Sequence, residues 1–279
     1  MDRMGRRLVH FTMLCAFVVG VGIAAAADLQ DRTRRAYDEY AERATRMFVD
    51  RARDGASGAA SGERSRSATI VVRPAREDGI LSVPSGLVHH WSGTTFIDGV
   101  TLQDALDVSY EYDAYHTIYT PVVSSKLLGR DRDTYRVLLR IKGSGGGLSA
   151  ILDVTSRVNY FYPDDHRVYS ISTSEDIREI THAGTPAESS RPPGRDSGYL
   201  WRAATFNSLI AFDEGVFAET ETLGLSRSFP PMLGWFIEPI AKRLGRESVR
   251  KSLQEFSQAV KARATSRVRG SHDARGPGT

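Results

Sequence analysis

The chain has 279 residues, a formal net charge of +3 and one cysteine. With Arg3, Arg6, Arg7 and Asp2 of the N-terminus set aside, 34 basic side chains face 33 acidic ones, which leaves no electrostatic case for nucleic-acid binding. The single cysteine, Cys15, excludes an intramolecular disulfide, and a chain matured beyond it has no thiol nucleophile and no zinc–cysteine cluster.

Residues 1–26 read as a signal peptide. Arg3, Arg6 and Arg7 form a positive start, residues 14–23 an apolar run, and Ala24 to Ala27 supply small residues for cleavage near Ala26. The expected compartment is the periplasm or the exterior. The alternative is a retained anchor, against which the apolar run is short of the ~20 residues a bilayer span needs. Residues 27–53 form a helix by periodicity, with Leu29, Tyr37, Tyr40, Ala44, Met47 and Phe48 on one stripe. That stripe either docks on the main domain or meets a membrane surface or partner. Residues 54–85 are a linker of Gly, Ala, Ser and Arg ending in a short β-like run at 68–73 and a turn-rich stretch around Pro74, Gly79 and Pro84.

From residue 86 the pattern is that of a domain. A strand over 87–97 precedes a helix over about 102–111 capped by Thr101, and a second short helix ends before Pro121. Six β-rich runs follow, at 122–130, 134–142, 148–161, 167–180, 199–212 and 215–226. A helical stretch over about 233–262 closes the domain, with Pro239 and Gly245 expected to kink or break its start. Residues 263–279, with Arg263, Arg267, Arg269 and Arg275 among Gly, Ser and Pro, read as a disordered basic tail, a second candidate for peripheral membrane contact.

The element order, taken with the stretch from Asp113 through Tyr119, Pro121 and Val123, resembles the START-like superfamily, which includes polyketide cyclase-like and Bet v 1-like proteins. The resemblance covers about residues 86–262. It implies an α+β helix-grip fold, in which a curved antiparallel sheet wraps a long C-terminal helix around a cavity. It further implies that the ligand is a lipid-like or aromatic hydrophobic small molecule. A cyclase- or hydrolase-type enzyme on the same fold, and an envelope interaction module whose cavity is filled by side chains, are the alternatives.

Strand alternation supplies candidate cavity residues. Tyr135, Val137 and Leu139 share one face of their strand, as do Leu152 and Val154 of the next, and both faces are expected to look inward. The hairpin near Glu214-Gly215 places Arg202, Ser208, Glu219 and Glu221 on the same face as Phe206 and Leu223. Charges on an apolar face are costly unless paired. Arg202 with one glutamate is therefore a candidate polar anchor in the pocket, unless this face points outward or lies beneath the N-terminal helix. His89 and His90 project to opposite faces, so they cannot readily share a metal; His90 joins the cavity candidates. Trp235 opens an apolar stretch that can act as a lid, and the loop 183–198 can border the same opening. No cofactor or metal is called for, because the remaining histidines show no ligand spacing. Lys142 to Gly147 lacks the Gly-Lys-Ser/Thr end of a phosphate loop and reads as a hairpin loop.

Overall fold

The structure, a computed structural model, describes residues 31–55, 68–76, 78–145, 148–192, 194–228 and 231–273. The side chains of residues 144, 145, 148, 231–238, 240 and 270–273 lie outside that description. So do the expected signal peptide, the centre of the linker, the tip of the 142–147 loop and the Trp235 side chain.

In chain order the elements are α1 (Asp31–Arg53), β1 (Val71–Pro74), β2 (Ile80–Val83), β3 (Gly86–Asp98), α2 (Leu102–Tyr110), a 3₁₀ turn (Tyr112–Ala114) and α3 (Tyr115–Ile118). They continue with β4 (Val122–Asp131), β5 (Thr134–Gly145), β6 (Leu148–Asp164), β7 (Arg167–Thr181), β8 (Ser189–Arg191), β9 (Arg202–Phe212), β10 (Gly215–Arg227) and α4 (Pro231–Asp273). All ten strands form one curved antiparallel sheet, in the order β1-β3-β10-β9-β7-β6-β5-β4, with β2 on β3 and β8 on β7. Sequence-neighbouring hairpins build one half, and the return of β10 to β3 closes the other.

Each helix end follows its local chemistry. The Thr101 hydroxyl accepts from the Asp104 N–H while the Asp104 carboxylate accepts from the Thr101 N–H, a reciprocal cap that starts α2. α4 crosses the concave face of the sheet. Its seam with β3 depends on two missing side chains. A Cβ at Gly93 would meet Val249 at 2.6 Å and Leu253 at 2.8 Å, and a Cβ at Gly245 would meet the Trp91 indole nitrogen at 2.5 Å. The main core lies here, with Trp91, Ile97, Val137, Leu209, Val249, Leu253 and Val260 all buried.

α1 packs on the opposite, convex face. Tyr37, Tyr40, Ala44, Phe48 and Ala52 are buried against Val88, Tyr169, Trp201, Ala204, Phe206, Leu223 and Leu225. Phe48 is fully buried and stacks on Phe206 at 5.2 Å. Most of the expected stripe is therefore spent on the sheet, while Met47 of that stripe is exposed and Leu29 lies outside the described residues. No helix among the described residues is long and apolar enough to cross a membrane.

Four expectations need correction. The segment before residue 86 contributes two strands to the sheet rather than one short run, since both β1 and β2 pair with β3. The β9–β10 turn is Asp213-Glu214, so the register differs by two residues from that expected; Gly215 pairs with Phe212 and Glu221 with Phe206. A shift of two preserves side-chain parity, and the expected set of residues still shares one face. α4 continues through Pro239 and Gly245 without interruption and runs on to Asp273. Residues 263–273 are thus helical rather than a disordered tail, for a physical reason. Val260 and Ala264 are buried, and Arg267 makes a two-pronged bond to the buried Asp104 carboxylate at 2.9 and 3.0 Å. That guanidinium holds the Asp104 carboxyl down at about 2.

Candidate functional site

Between the concave sheet, the α2–β4 segment and α4 lies a cavity of ≈ 320 Å³. The strands supply its floor, in rows that follow from the register. One row runs Tyr160, Ser170, Asn207, Thr220 across β6, β7, β9 and β10. The next runs Val158, Ser172, Thr205, Thr222 across the same strands. The roof is mainly apolar: α4 contributes Val249, Leu253 and Phe256, with Ser248, Lys251, Ser252 and Glu255 beside them, β5 contributes Val137 and Leu139, and Val122 and Pro121 close one side.

Tyrosines form the end wall. Tyr110, Tyr112, Tyr135 and Tyr160 cluster with ring centroids 4.9 to 5.6 Å apart, and Tyr115 and Tyr119 extend the set toward β4. The Tyr112 and Tyr160 hydroxyls lie 2.8 Å apart, and Tyr160 and Tyr115 both donate to the Ser109 carbonyl, at 3.2 and 2.7 Å. Burial drives the hydroxyl pKa values of Tyr112, Tyr115 and Tyr160 upward, so these groups stay neutral donors. At the rim, Glu255 of α4 accepts from the Thr120 N–H and hydroxyl, and Lys251 lies 3.9 Å from it.

The structure divides the expected site residues between this cavity and other places. Val137 and Leu139 line the cavity. Tyr135 stands in the tyrosine wall, behind the lining. Leu152 and Val154 have the right parity but lie further along the strands, where they pack with Ile177, Ile141, Leu200 and Ala203 in a separate cluster. None of the described residues of 183–198 lines the cavity. β8 zips this loop to β7, and the loop is tied down by Ser197 N–H to Glu179 at 2.6 Å and the Trp201 indole to Asp196 at 2.9 Å.

His90, Arg202, Phe206, Glu221 and Leu223 belong to the other face, beneath α1. Glu219 borders the cavity from its strand, yet its carboxylate lies on the α1 side, 3.9 Å from Arg51. The cation that meets the glutamates is Arg51, at 2.6 Å from Glu221, rather than Arg202, whose own hydrogen bond is to the Trp201 carbonyl at 3.4 Å. His90 completes a buried chain. A carboxylate only accepts, so His90 donates from Nε2 to Glu221 at 2.6 Å, and its Nδ1 shares a hydrogen bond with the Tyr40 hydroxyl at 2.8 Å. This Tyr40–His90–Glu221–Arg51 chain ties α1 to β3 and β10 and has no access to the cavity. The structure thereby overturns the reading of Arg202 with a glutamate as a polar anchor in the pocket. Arg51 and Tyr40 were absent from the expected set. Their signal was available in the periodicity of α1, which places Tyr40 on the docked stripe and Arg51 at its edge. Among the described residues, no group of three or more His, Cys, Asp or Glu side chains forms a metal site.

The strand order, the antiparallel pairing throughout and the single long helix across the concave face define a START-like helix-grip fold. Known structures of similar shape include a STAR-related lipid transfer protein from Xanthomonas axonopodis, at 14% identity and a TM-score of 0.46, covering 69% of this chain and 98% of that one. An aromatase/cyclase from a Streptomyces species aligns at 15% identity and a TM-score of 0.39, over 65% of this chain and 96% of its own. A START superfamily protein from Mycobacterium smegmatis aligns at 13% identity and 0.38, over 64% and 98%. These are likenesses of fold and assign no ligand to this chain. No protein-family model matches the sequence, and no curated protein matches it.

Proposed function

We propose that the protein is an exported carrier or sensor that holds a hydrophobic small molecule in the cavity between the sheet and α4. The observation that supports this most is the void itself. Val137, Leu139, Leu209, Val249, Leu253 and Phe256 surround ≈ 320 Å³ that their own side chains leave open. Protein interiors ordinarily pack without voids of this size, so a retained one is a place for something else. Apolar contact with the roof would drive binding at ~0.8 kcal/mol per buried methylene. Ligand pockets span roughly 300–1,000 Å³, so this cavity suits one ring system or one chain rather than a two-chain lipid. The same void disfavours the reading in which the interior is filled and the domain serves only as an interaction module. Export rests on the character of residues 1–26.

The test is extraction. Protein produced with its leader, collected in its mature form and purified without detergent, should release a stoichiometric hydrophobic compound into organic solvent, detectable by mass spectrometry. A protein that yields none, and that also fails to take up hydrophobic probes, would overturn the proposal.

A further inference from the structure

The cavity is two-faced, and one cross-strand row of its polar floor holds three adjacent hydroxyls with unspent hydrogen-bonding capacity. In the first cross-strand row the polar groups satisfy one another: Thr220 donates to Asn207 Oδ1 at 2.8 Å, Asn207 Nδ2 donates to Ser170 at 3.4 Å, and Tyr160 is bonded to Tyr112 at 2.8 Å. The second row differs. Ser172, Thr205 and Thr222 sit side by side on β7, β9 and β10, all facing the cavity and only partly covered. None of their hydroxyls bonds to any other described residue. Neighbouring strands lie ~4.8 Å apart, so the three oxygens form a comb at about that interval. Each hydroxyl can both donate and accept.

Charge narrows the ligand further. The ionisable groups among the described lining are the tyrosines, Glu219, Lys251 and Glu255. The Glu219 carboxylate lies toward Arg51 across the sheet, and Lys251 and Glu255 stand together at the rim. Among the described residues the one lysine or arginine of the lining is Lys251, paired with Glu255 at the rim, so a carboxylate or phosphate lowered onto the floor would lose its hydration without a free counter-charge. Opposite the comb stand the apolar Val249, Leu253 and Phe256.

Resting on the reading that the cavity holds a small molecule, we infer that the Ser172–Thr205–Thr222 comb selects an uncharged ligand with hydroxyl or carbonyl oxygens along one edge and a hydrocarbon opposite edge. Two oxygens placed meta on a benzene ring match the comb interval. The experiment uses three probes with one skeleton, 5-heptylresorcinol, heptylbenzene and 4-heptylbenzoate, titrated calorimetrically into the mature protein at pH 8. The resorcinol should bind at least about tenfold more tightly than heptylbenzene, as expected for two neutral hydrogen bonds, and the benzoate no more tightly than heptylbenzene. In the triple variant Ser172→Ala, Thr205→Val, Thr222→Val the preference should vanish while heptylbenzene still binds. Thr205→Val alone, a milder change, should cut the preference about threefold, and Thr205→Ser should keep it. Equal binding of resorcinol and heptylbenzene, or preferential binding of the benzoate, would overturn the inference and leave the cavity reading intact. Failure of all three probes to bind would remove both.

Discussion

Adjacent histidines on β3 meet opposite environments. His90 faces α1 and is held between Tyr40 and Glu221, so its ring has a partner at each nitrogen. His89 faces the other way and has one partner, the Ser226 hydroxyl at 2.8 Å. Burial without a counter-charge lowers the His89 pKa to about 4. A base whose pKa is depressed on folding binds fewer protons in the native state than in the unfolded chain. Stability is therefore intact above the unfolded value near 6.5 and declines as pH falls from there to about 4. The contribution amounts to roughly 2 kcal/mol by pH 5. Urea unfolding at pH 7.5 and pH 5 should show this loss in the wild type and a clearly smaller one in His89→Gln. An equal loss in both would assign the acid sensitivity elsewhere. Alternation along a strand was enough to separate the two side chains. It could not say which face was which, because both faces of this sheet carry apolar residues and each is covered by a helix.

That ambiguity explains the larger reassignment at the level of elements. The parity of β9 and β10 was legible: Phe206, Ser208, Glu219, Glu221 and Leu223 do share a face, and a register displaced by two residues left that unchanged. Apolar residues beside two glutamates suggested a pocket with a polar anchor or a face beneath the N-terminal helix, and the structure makes this face the bed of α1. The charges are satisfied by a guanidinium from that helix, a pairing across 170 residues of sequence that no local pattern encodes. Removing one partner from a buried ion pair is costly because the remaining charge stays desolvated. Arg51→Ala should therefore destabilise the domain by about 2–4 kcal/mol in chemical denaturation, the exposed flank of Arg51 keeping the figure below that of a fully enclosed pair. It should also open the α1 linker to limited proteolysis while leaving cavity binding unchanged. A change under about 0.5 kcal/mol, within the usual range for a surface substitution, would show that α1 is held by its apolar stripe alone. The end of α4 illustrates the opposite failure. Basic residues among Gly and Ser suggested a free tail, but Asp104, placed inward by the cap of α2, gives Arg267 a reason to stay helical.

For the whole molecule, element order and the hydrophobic periods were sufficient to reach the helix-grip fold, because long alternating strands and one terminal amphipathic helix admit few other arrangements. The two sides of the sheet then divide the work. The α1 side is packed around Phe48 and Phe206, and its buried charges serve attachment. On the α4 side the helix closes onto β3 at Gly93 and Gly245, the tyrosine wall stands at the end, and between them the cavity remains. Sequence alone suggested an oily interior; the floor of serines, threonines and Asn207 emerged only once the register aligned short polar residues from three strands, β7, β9 and β10, that are each ambiguous in isolation. The most direct measurement is methyl NMR of the mature protein titrated with 5-heptylresorcinol. Methyl signals of Val137, Leu139, Leu209, Val249 and Leu253 should shift to saturation, while those of Val88, Leu223 and Leu225 beneath α1 stay in place. Shifts confined to the α1 side, or none anywhere at saturating probe, would contradict the placement of a ligand site between the sheet and α4.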